Sequence, residues 1–236
     1  MDLVDVDAQK QAAAYRAVED FVQSSMIVGL GTGSTAIHAT VRIGELLKSG
    51  ELSDVVGVPT AKSTQAAAIK AGVPLLDDSV VWDIDVTIDG ADEVDSDLNL
   101  IKGGGGALLR EKLVAQTTAT EVIVVDESKR SPLLGTNFKL PVEVVEFGLA
   151  TTREFLALVA GEPTLRVTET GETFRTDQGN VIFDCHTGAI EDVFSLAGVL
   201  EAHAGIVEHG LFLGLTQFLV VASSTGVEIL SPSEPL

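Results

Sequence analysis

Four short segments concentrate the residues whose types and spacing could do chemistry. The first, Gly29-Leu-Gly-Thr-Gly-Ser-Thr35, joins glycines that let backbone approach a ligand to hydroxyls at Thr32, Ser34 and Thr35. Ahead of a helix, such a turn presents N–H groups to a phosphate; a tight strand-to-helix turn without a ligand is its other reading. A dinucleotide fingerprint would need glycine where Ser34 stands and an acid after the second strand, which instead closes in Val58-Pro59. The lysine of a P-loop is missing too. The second segment, Asp89-Gly-Ala-Asp-Glu-Val-Asp95, follows the apolar Val86-Thr-Ile88. Carboxylates crowded at a strand end shift one another's proton affinities, which suits acid/base work; a solvated acidic loop is the competing reading. Asp95-Ser-Asp97-Leu-Asn99 begins like a calcium loop, but Leu100 replaces the turn glycine and Gly106 the bidentate acid, which excludes it.

The third segment, Ile101-Lys-Gly-Gly-Gly-Gly-Ala-Leu-Leu-Arg-Glu-Lys112, is the most specific. Four successive glycines are entropically costly and pack nothing, so they mark backbone that must come close to something. Lys102 opens that loop beside a possible anion. Glu111 lies about one turn into the following helix, whose side chains lean back over the loop, and Ala107 and Leu108 would partly desolvate it as a base requires. Arg110, Glu111 and Lys112 read equally well as a charged helix face. The fourth segment, Val125-Asp-Glu-Ser-Lys129, is a strand end carrying a lysine for an anion or merely a surface lysine. His38, His186, His203 and His209 show no ligand spacing, so no metal is expected, and Ser34 has no motif-based partner for nucleophilic work. Cys185, beside an expected strand, reads as a core residue.

Positioning these segments requires alternating strands and helices. Apolar periodicity predicts a helix over Asp7–Val22 with Asp7 as cap, a buried strand Met26–Leu30, a helix over 34–49 stopped by Gly50, strand Val55–Val58 and helix Ser63–Ala71 ended by Gly72. Strand Ile84–Ile88, helix Ala107–Thr118 and strand Val122–Val125 follow. This alternation predicts a doubly wound α/β sheet with right-handed crossovers, whose ligands settle beyond the carboxyl ends of the strands. Pro132, Gly135 and Pro141 then mark a domain boundary. Residues 142–210 read as strand, helix Ala150–Ala160, strand Leu165–Thr168, strand Val181–Asp184, helix Ile190–His203 and strand, a small α+β module, before Gln217–Ala222 and Val227–Leu230 return to the first domain.

The 236 residues carry 15 Lys plus Arg against 35 Asp plus Glu, a net charge of −20. Such a chain is repelled by phosphate backbones and anionic lipid, so neither nucleic acid nor membrane is an expected partner. With 45% apolar residues it still has material for a core. A single cysteine and the lack of a signal-like N-terminus predict a cytoplasmic protein. Only eight lysines offset the acids, which reads either as a solubilised surface or as adaptation to high salt.

Taken together, Gly31-Thr-Gly-Ser-Thr35, Asp89-Gly-Ala-Asp-Glu93, Lys102-Gly-Gly-Gly105 with Arg110-Glu-Lys112, and Ser128-Lys129 resemble, in order and spacing, the A-type ribose-5-phosphate isomerases over nearly the whole chain. The resemblance implies a Rossmann-like, doubly wound, mostly parallel domain over 1–134 and 214–236. A smaller ferredoxin-like α+β domain over 135–213 would serve oligomerisation into a homodimer or homotetramer. It implies cofactor-free interconversion of ribose 5-phosphate and ribulose 5-phosphate through an enediol, in the non-oxidative pentose phosphate pathway. Glu111 would move the proton, while Asp89 and Asp92 handle substrate oxygens and ring opening. Thr32, Gly33, Ser34, Thr35, Asp89, Gly90, Ala91, Asp92, Lys102, Gly103, Gly104, Gly105 and Lys129 would bind the sugar phosphate. Two departures stand out: Gly106 occupies the place of a usual alanine, predicting a looser helix start, and the family lysine of helix one is matched only by a displaced Lys10. A sugar-phosphate-sensing domain of a transcription regulator and a sugar-phosphate deaminase or CoA-transferase relative are the alternatives from other classes.

Overall fold

A computed structural model describes residues 6–232. Ala13, Ala14, Ala17 and Val18 form the buried stripe of α1 (Val6–Phe21), which starts ahead of the expected cap, so Asp7 lies inside its first turn. The apolar β1 (Ile27–Leu30) passes through the first glycine loop into α2 (Ala36–Ser49), stopped by Gly50 at φ 82°. Next come β2 (Val56–Pro59) and α3 (Lys62–Ala71), stopped by Gly72. β3 (Ile84–Gly90) runs past its expected end, making Asp89 and Gly90 strand residues. β4 (Glu93–Val94) and β5 (Leu100–Ile101) are too short for any periodicity to announce. α4 (Leu108–Gln116) ends before Thr118, which opens β6 (Thr118–Asp126), because β-branched Thr117, Thr118 and Thr120 favour extended backbone.

After β7 (Leu140–Val144) and α5 (Leu149–Val159), β8 (Glu162–Leu165) sits three residues ahead of the expected Leu165–Thr168. Residues 166–168 instead enter a reversal in which the Phe174 N–H donates to the Arg166 carbonyl (3.0 Å). β9 (Val181–His186) leads to α6 (Val193–Glu201), shorter than expected because Asp192 caps it by accepting the Ser195 N–H (2.9 Å). β10 (Ile206–His209), β11 (Leu211–Phe212), β12 (Phe218–Ser223) and β13 (Gly226–Leu230) complete the chain.

The largest sheet has the order β13-β12-β6-β3-β1-β2, parallel except for β13 at one edge. Val28, Leu30, Val86, Ile88, Val122 and Val124 of its strands pack with the stripe of α1 and with Ala39 and Ile43 of α2. A second sheet, β10-β7-β9-β8, is antiparallel; with α5 and α6 it makes the β-α-β-β-α-β ferredoxin-like arrangement. Phe183, Leu140, Val142, Leu156 and Leu200 fill its core. β11-β5-β4 form a small third sheet.

Contacts divide the chain into two compact units: one comprises the chain up to Gly90, Arg110–Ser128 and the chain from Leu215, the other Ala91–Leu109 and Lys129–Gly214. Residues 91–109 and 129–134, expected with the first domain, thus count with the second. There Ile101 and Leu134 are buried in the second core, and the Glu93 carboxylate accepts the Gly135 and Asn137 N–H groups (2.8 and 2.9 Å). Among the described residues no helix is long and apolar enough to cross a membrane.

Candidate active site

In the first unit, β1 has β2 on one side and β3 on the other, so the strand order reverses there and a crevice is expected beyond the strand ends. The Gly31 N–H donates to the Ile88 carbonyl (3.0 Å), which presses Gly31 against Asp89: a Cβ on Gly31 would lie 2.3 Å from Asp89 Oδ1 and 2.4 Å from its Cα. Asp89 is fully buried, and its Oδ1 accepts the N–H groups of Thr32 (3.0 Å) and Gly90 (2.7 Å). The Thr32 hydroxyl bonds to those of Thr60 (2.7 Å) and Thr64 (2.9 Å). Thr32 therefore braces the loop, and Gly33, Ser34 and Thr35 form its tip. Gly33 has φ +111° in open space, and Thr35 precedes the first turn of α2. Lys10 Nζ donates to Ser34 Oγ (2.9 Å), so the displaced lysine of α1 does reach this loop.

In the second unit the acidic run resolves into separate tasks. Ala91 is half-buried; the Asp92 N–H donates to the Ile101 carbonyl (2.9 Å), and Asp92 Oδ2 accepts the Gly104 N–H (2.7 Å). Glu93, fully buried on its two backbone N–H donors, is a structural acid. Asp95 closes its own turn by accepting the N–H groups of Asp97 (2.9 Å) and Asn99 (2.8 Å). Lys102 is 2% exposed; its N–H donates to the Gly210 carbonyl (2.9 Å) and its ammonium lies 5.4 Å from the centre of the Phe212 ring, a cation–π arrangement. Gly103 has φ +103°, and the Gly106 N–H closes the turn on its carbonyl (3.0 Å). Gly104 and Gly105 form the exposed tip. Gly106 stands before α4 at φ +82°, where a Cβ would lie 2.5 Å from the Phe174 ring, so it belongs to the turn that precedes the helix.

Glu111 is the fourth residue of α4, and both it and Lys112 are only 6% exposed. Neither side chain lies on a solvated face. Lys129 is half-buried at the end of a short helical turn after β6, where the Ser128 N–H donates to Asp126 Oδ1 (3.0 Å). Cys185 is buried, and burial followed by the charge of Asp184 pushes its thiol up to about 12, so it stays protonated and inert. Among the described residues no group of His, Cys, Asp or Glu side chains is arranged to hold a metal ion. Thr60, Thr64 and Arg166, none marked by a motif, brace the two loops; Arg166 Nη1 donates to the carbonyls of Gly103 (2.8 Å) and Gly104 (3.1 Å).

Comparison with known proteins identifies the family of the chain. Residues 56–226 match the family described as ribose 5-phosphate isomerase A (phosphoriboisomerase A). Ribose-5-phosphate isomerase A of Chloroflexus aurantiacus is 50% identical over 234 residues, covering 99% of this chain and 98% of its own. The probable ribose-5-phosphate isomerase 2 of Arabidopsis thaliana is 48% identical, covering 94% of this chain and 86% of its own. Among solved structures, a D-ribose-5-phosphate isomerase in complex with phospho-erythronic acid superposes with a TM-score of 0.93 at 36% identity, over 97% of this chain and 100% of that one. The ribose 5-phosphate isomerase of Plasmodium falciparum superposes with a TM-score of 0.90 at 41% identity, over 97% and 100%.

Proposed function

The chain belongs to the ribose 5-phosphate isomerase A family and interconverts ribose 5-phosphate and ribulose 5-phosphate; from that premise we propose that Glu111 carries a proton between the two adjacent carbons through an enediol. The burial of Glu111 is the observation that carries this reading. An aldose–ketose shift is redox-neutral and needs one positioned base, with donors for the oxygens that become enediolate. In the first unit, Asp89 takes a substrate hydroxyl in ring opening, and Ser34, Thr35 and Lys10 offer hydroxyl and ammonium groups to a phosphate. In the second unit, Asp92 orients the glycine loop by holding the Gly104 N–H and faces a substrate oxygen, and Lys102, Gly103, Gly105 and Lys129 supply donors. No metal or nucleotide takes part.

Glu111→Gln keeps the shape of the side chain and removes the base, so kcat should fall about 10²–10⁴-fold with substrate affinity retained. Appearance of ketopentose from ribose 5-phosphate alone measures it, and near-normal turnover in that variant refutes the assignment. Exhaustive chelation should leave the wild-type rate intact. We further read the chain as a cytoplasmic homodimer or homotetramer adapted to salt; its net charge of −20 supports a rise in melting temperature and in oligomer stability from dilute buffer to molar KCl, read by thermal unfolding and sedimentation.

A further inference from the structure

The second glycine loop is gripped by a side chain that no motif marks. Arg166 follows β8 directly and is only 13% exposed. Its Nε donates to Asp184 Oδ2 (2.9 Å) and its Nη2 to Asp184 Oδ1, a two-point pairing that fixes the guanidinium plane. The guanidinium carbon lies 5.7 Å from the centre of the Phe174 ring. The remaining nitrogen, Nη1, donates to the carbonyls of both Gly103 and Gly104 (2.8 and 3.1 Å). In addition, Asp92 Oδ2 accepts the Gly104 N–H (2.7 Å), and Phe174 lies against Gly106, where a Cβ would meet its ring at 2.5 Å.

Glycine backbone has the widest conformational freedom of any residue, so a glycine run can present N–H groups in a fixed direction only if something outside it holds its peptide planes. Resting on the functional reading above, we propose that Arg166 is a positioning residue for the isomerisation. Oriented by Asp184, it locks the Gly103 and Gly104 carbonyls so that the loop's donors meet the developing enediolate without reorganisation. Donors aimed where charge develops act on the transition state more than on the bound substrate, so the loss should appear in kcat rather than KM.

A cavity of about 370 Å³ lined by Gly104, Asn137, Phe138, Lys139, Arg166 and Asp184 opens beside the guanidinium and gives the experiment its handle. Arg166→Ala should lower kcat about ten- to hundredfold with KM for ribose 5-phosphate nearly unchanged, the penalty typical of a catalytic group misplaced by about an ångström. Amide hydrogen exchange over 103–107 should quicken. Millimolar guanidinium, entering through the cavity, should restore part of kcat, and urea at the same concentration should not. An unchanged kcat, a loss confined to KM, or unchanged exchange in the folded variant overturns the proposal. Should Arg166→Ala fail to fold, Arg166→Lys decides: one ammonium cannot hold Asp184 at two points and both carbonyls, so a full wild-type kcat there overturns the clamp. A wild-type chain inactive on ribose 5-phosphate would sink the functional reading, whereas the exchange measurement judges the clamp by itself.

Discussion

Two glycine loops in this chain require glycine for different reasons. In the loop after β1, glycine is demanded by a neighbouring strand: Gly31 has no room for a Cβ beside Asp89, its N–H donates to the Ile88 carbonyl, and Thr32 is held by the Asp89 carboxylate and by the hydroxyls of Thr60 and Thr64. In the loop before α4, Gly103 and Gly106 are demanded by positive φ, and the hold comes from side chains, Asp92 on one peptide and Arg166 on two carbonyls. A glycine run therefore does not reveal what fixes it. In both loops the holding partner is distant in sequence, 57 residues from Thr32 to Asp89 and 63 from Gly103 to Arg166.

Stability should separate the loops most strongly. Gly31→Ala drives a Cβ into the backbone of β3, where no side-chain rotation can relieve it, and should cost about 3 kcal/mol by urea unfolding. Gly33→Ala meets open space and bears only its strained φ of +111°, about 1–2 kcal/mol. Equal losses would show that the strand contact is not what selects glycine in the first loop.

Cations sharpen the contrast at a smaller scale. Lys102→Met removes a buried ammonium and should raise KM for ribose 5-phosphate about ten- to hundredfold, the worth of a charge-assisted contact. Lys10→Ala removes a cation hydrogen-bonded at the exposed Ser34 and should raise KM only about two- to fivefold. In molar KCl, where the screening length falls to about 3 Å, the Lys10 effect should disappear and the Lys102 effect persist. Identical salt responses would erase the distinction.

The smallest effect concerns a buried acid of the second unit. Burial holds Glu143 on β7 above the usual carboxylate range, the charges of Glu208 and Asp177 add to this, and hydrogen bonds from Asn180 (2.9 Å) and Thr176 (2.8 Å) only partly oppose it. A carboxyl whose folded value is raised binds its proton more tightly in the native state. Its contribution is therefore fully present at pH below the ordinary value of about 4.3 and is lost as pH rises through the raised value. Glu143→Gln, which keeps the accepting oxygen, should melt slightly higher than wild type at neutral pH and lose that advantage below pH ~4.3. A gain independent of pH would assign the effect to packing.

The parallel sheet was readable because apolar strands and periodic helices alternate with glycine stops at Gly50 and Gly72, each a local property of the chain. β4, β5 and β11 were not, since two residues carry no period; contacts group the first two, with residues 91–109, in the second unit. In the acidic run, Asp89, Asp92, Glu93 and Asp95 look alike as a string; only their backbone partners separate the strand-end acid, the loop holder, the buried brace and the turn closer.

By itself the sequence determined which groups exist and in what local order: glycines where backbone must turn, a carboxylate one turn into a helix, lysines at loop ends. Tertiary structure alone decided which of those groups are buried and which are held. Glu111 and Lys112 could have faced water on the same helical spacing, and Arg166 carries no local pattern at all. The physical reason is range: φ/ψ preference and periodicity act within a few residues, whereas desolvation and a guanidinium's choice of carbonyls depend on atoms that only the folded chain brings together.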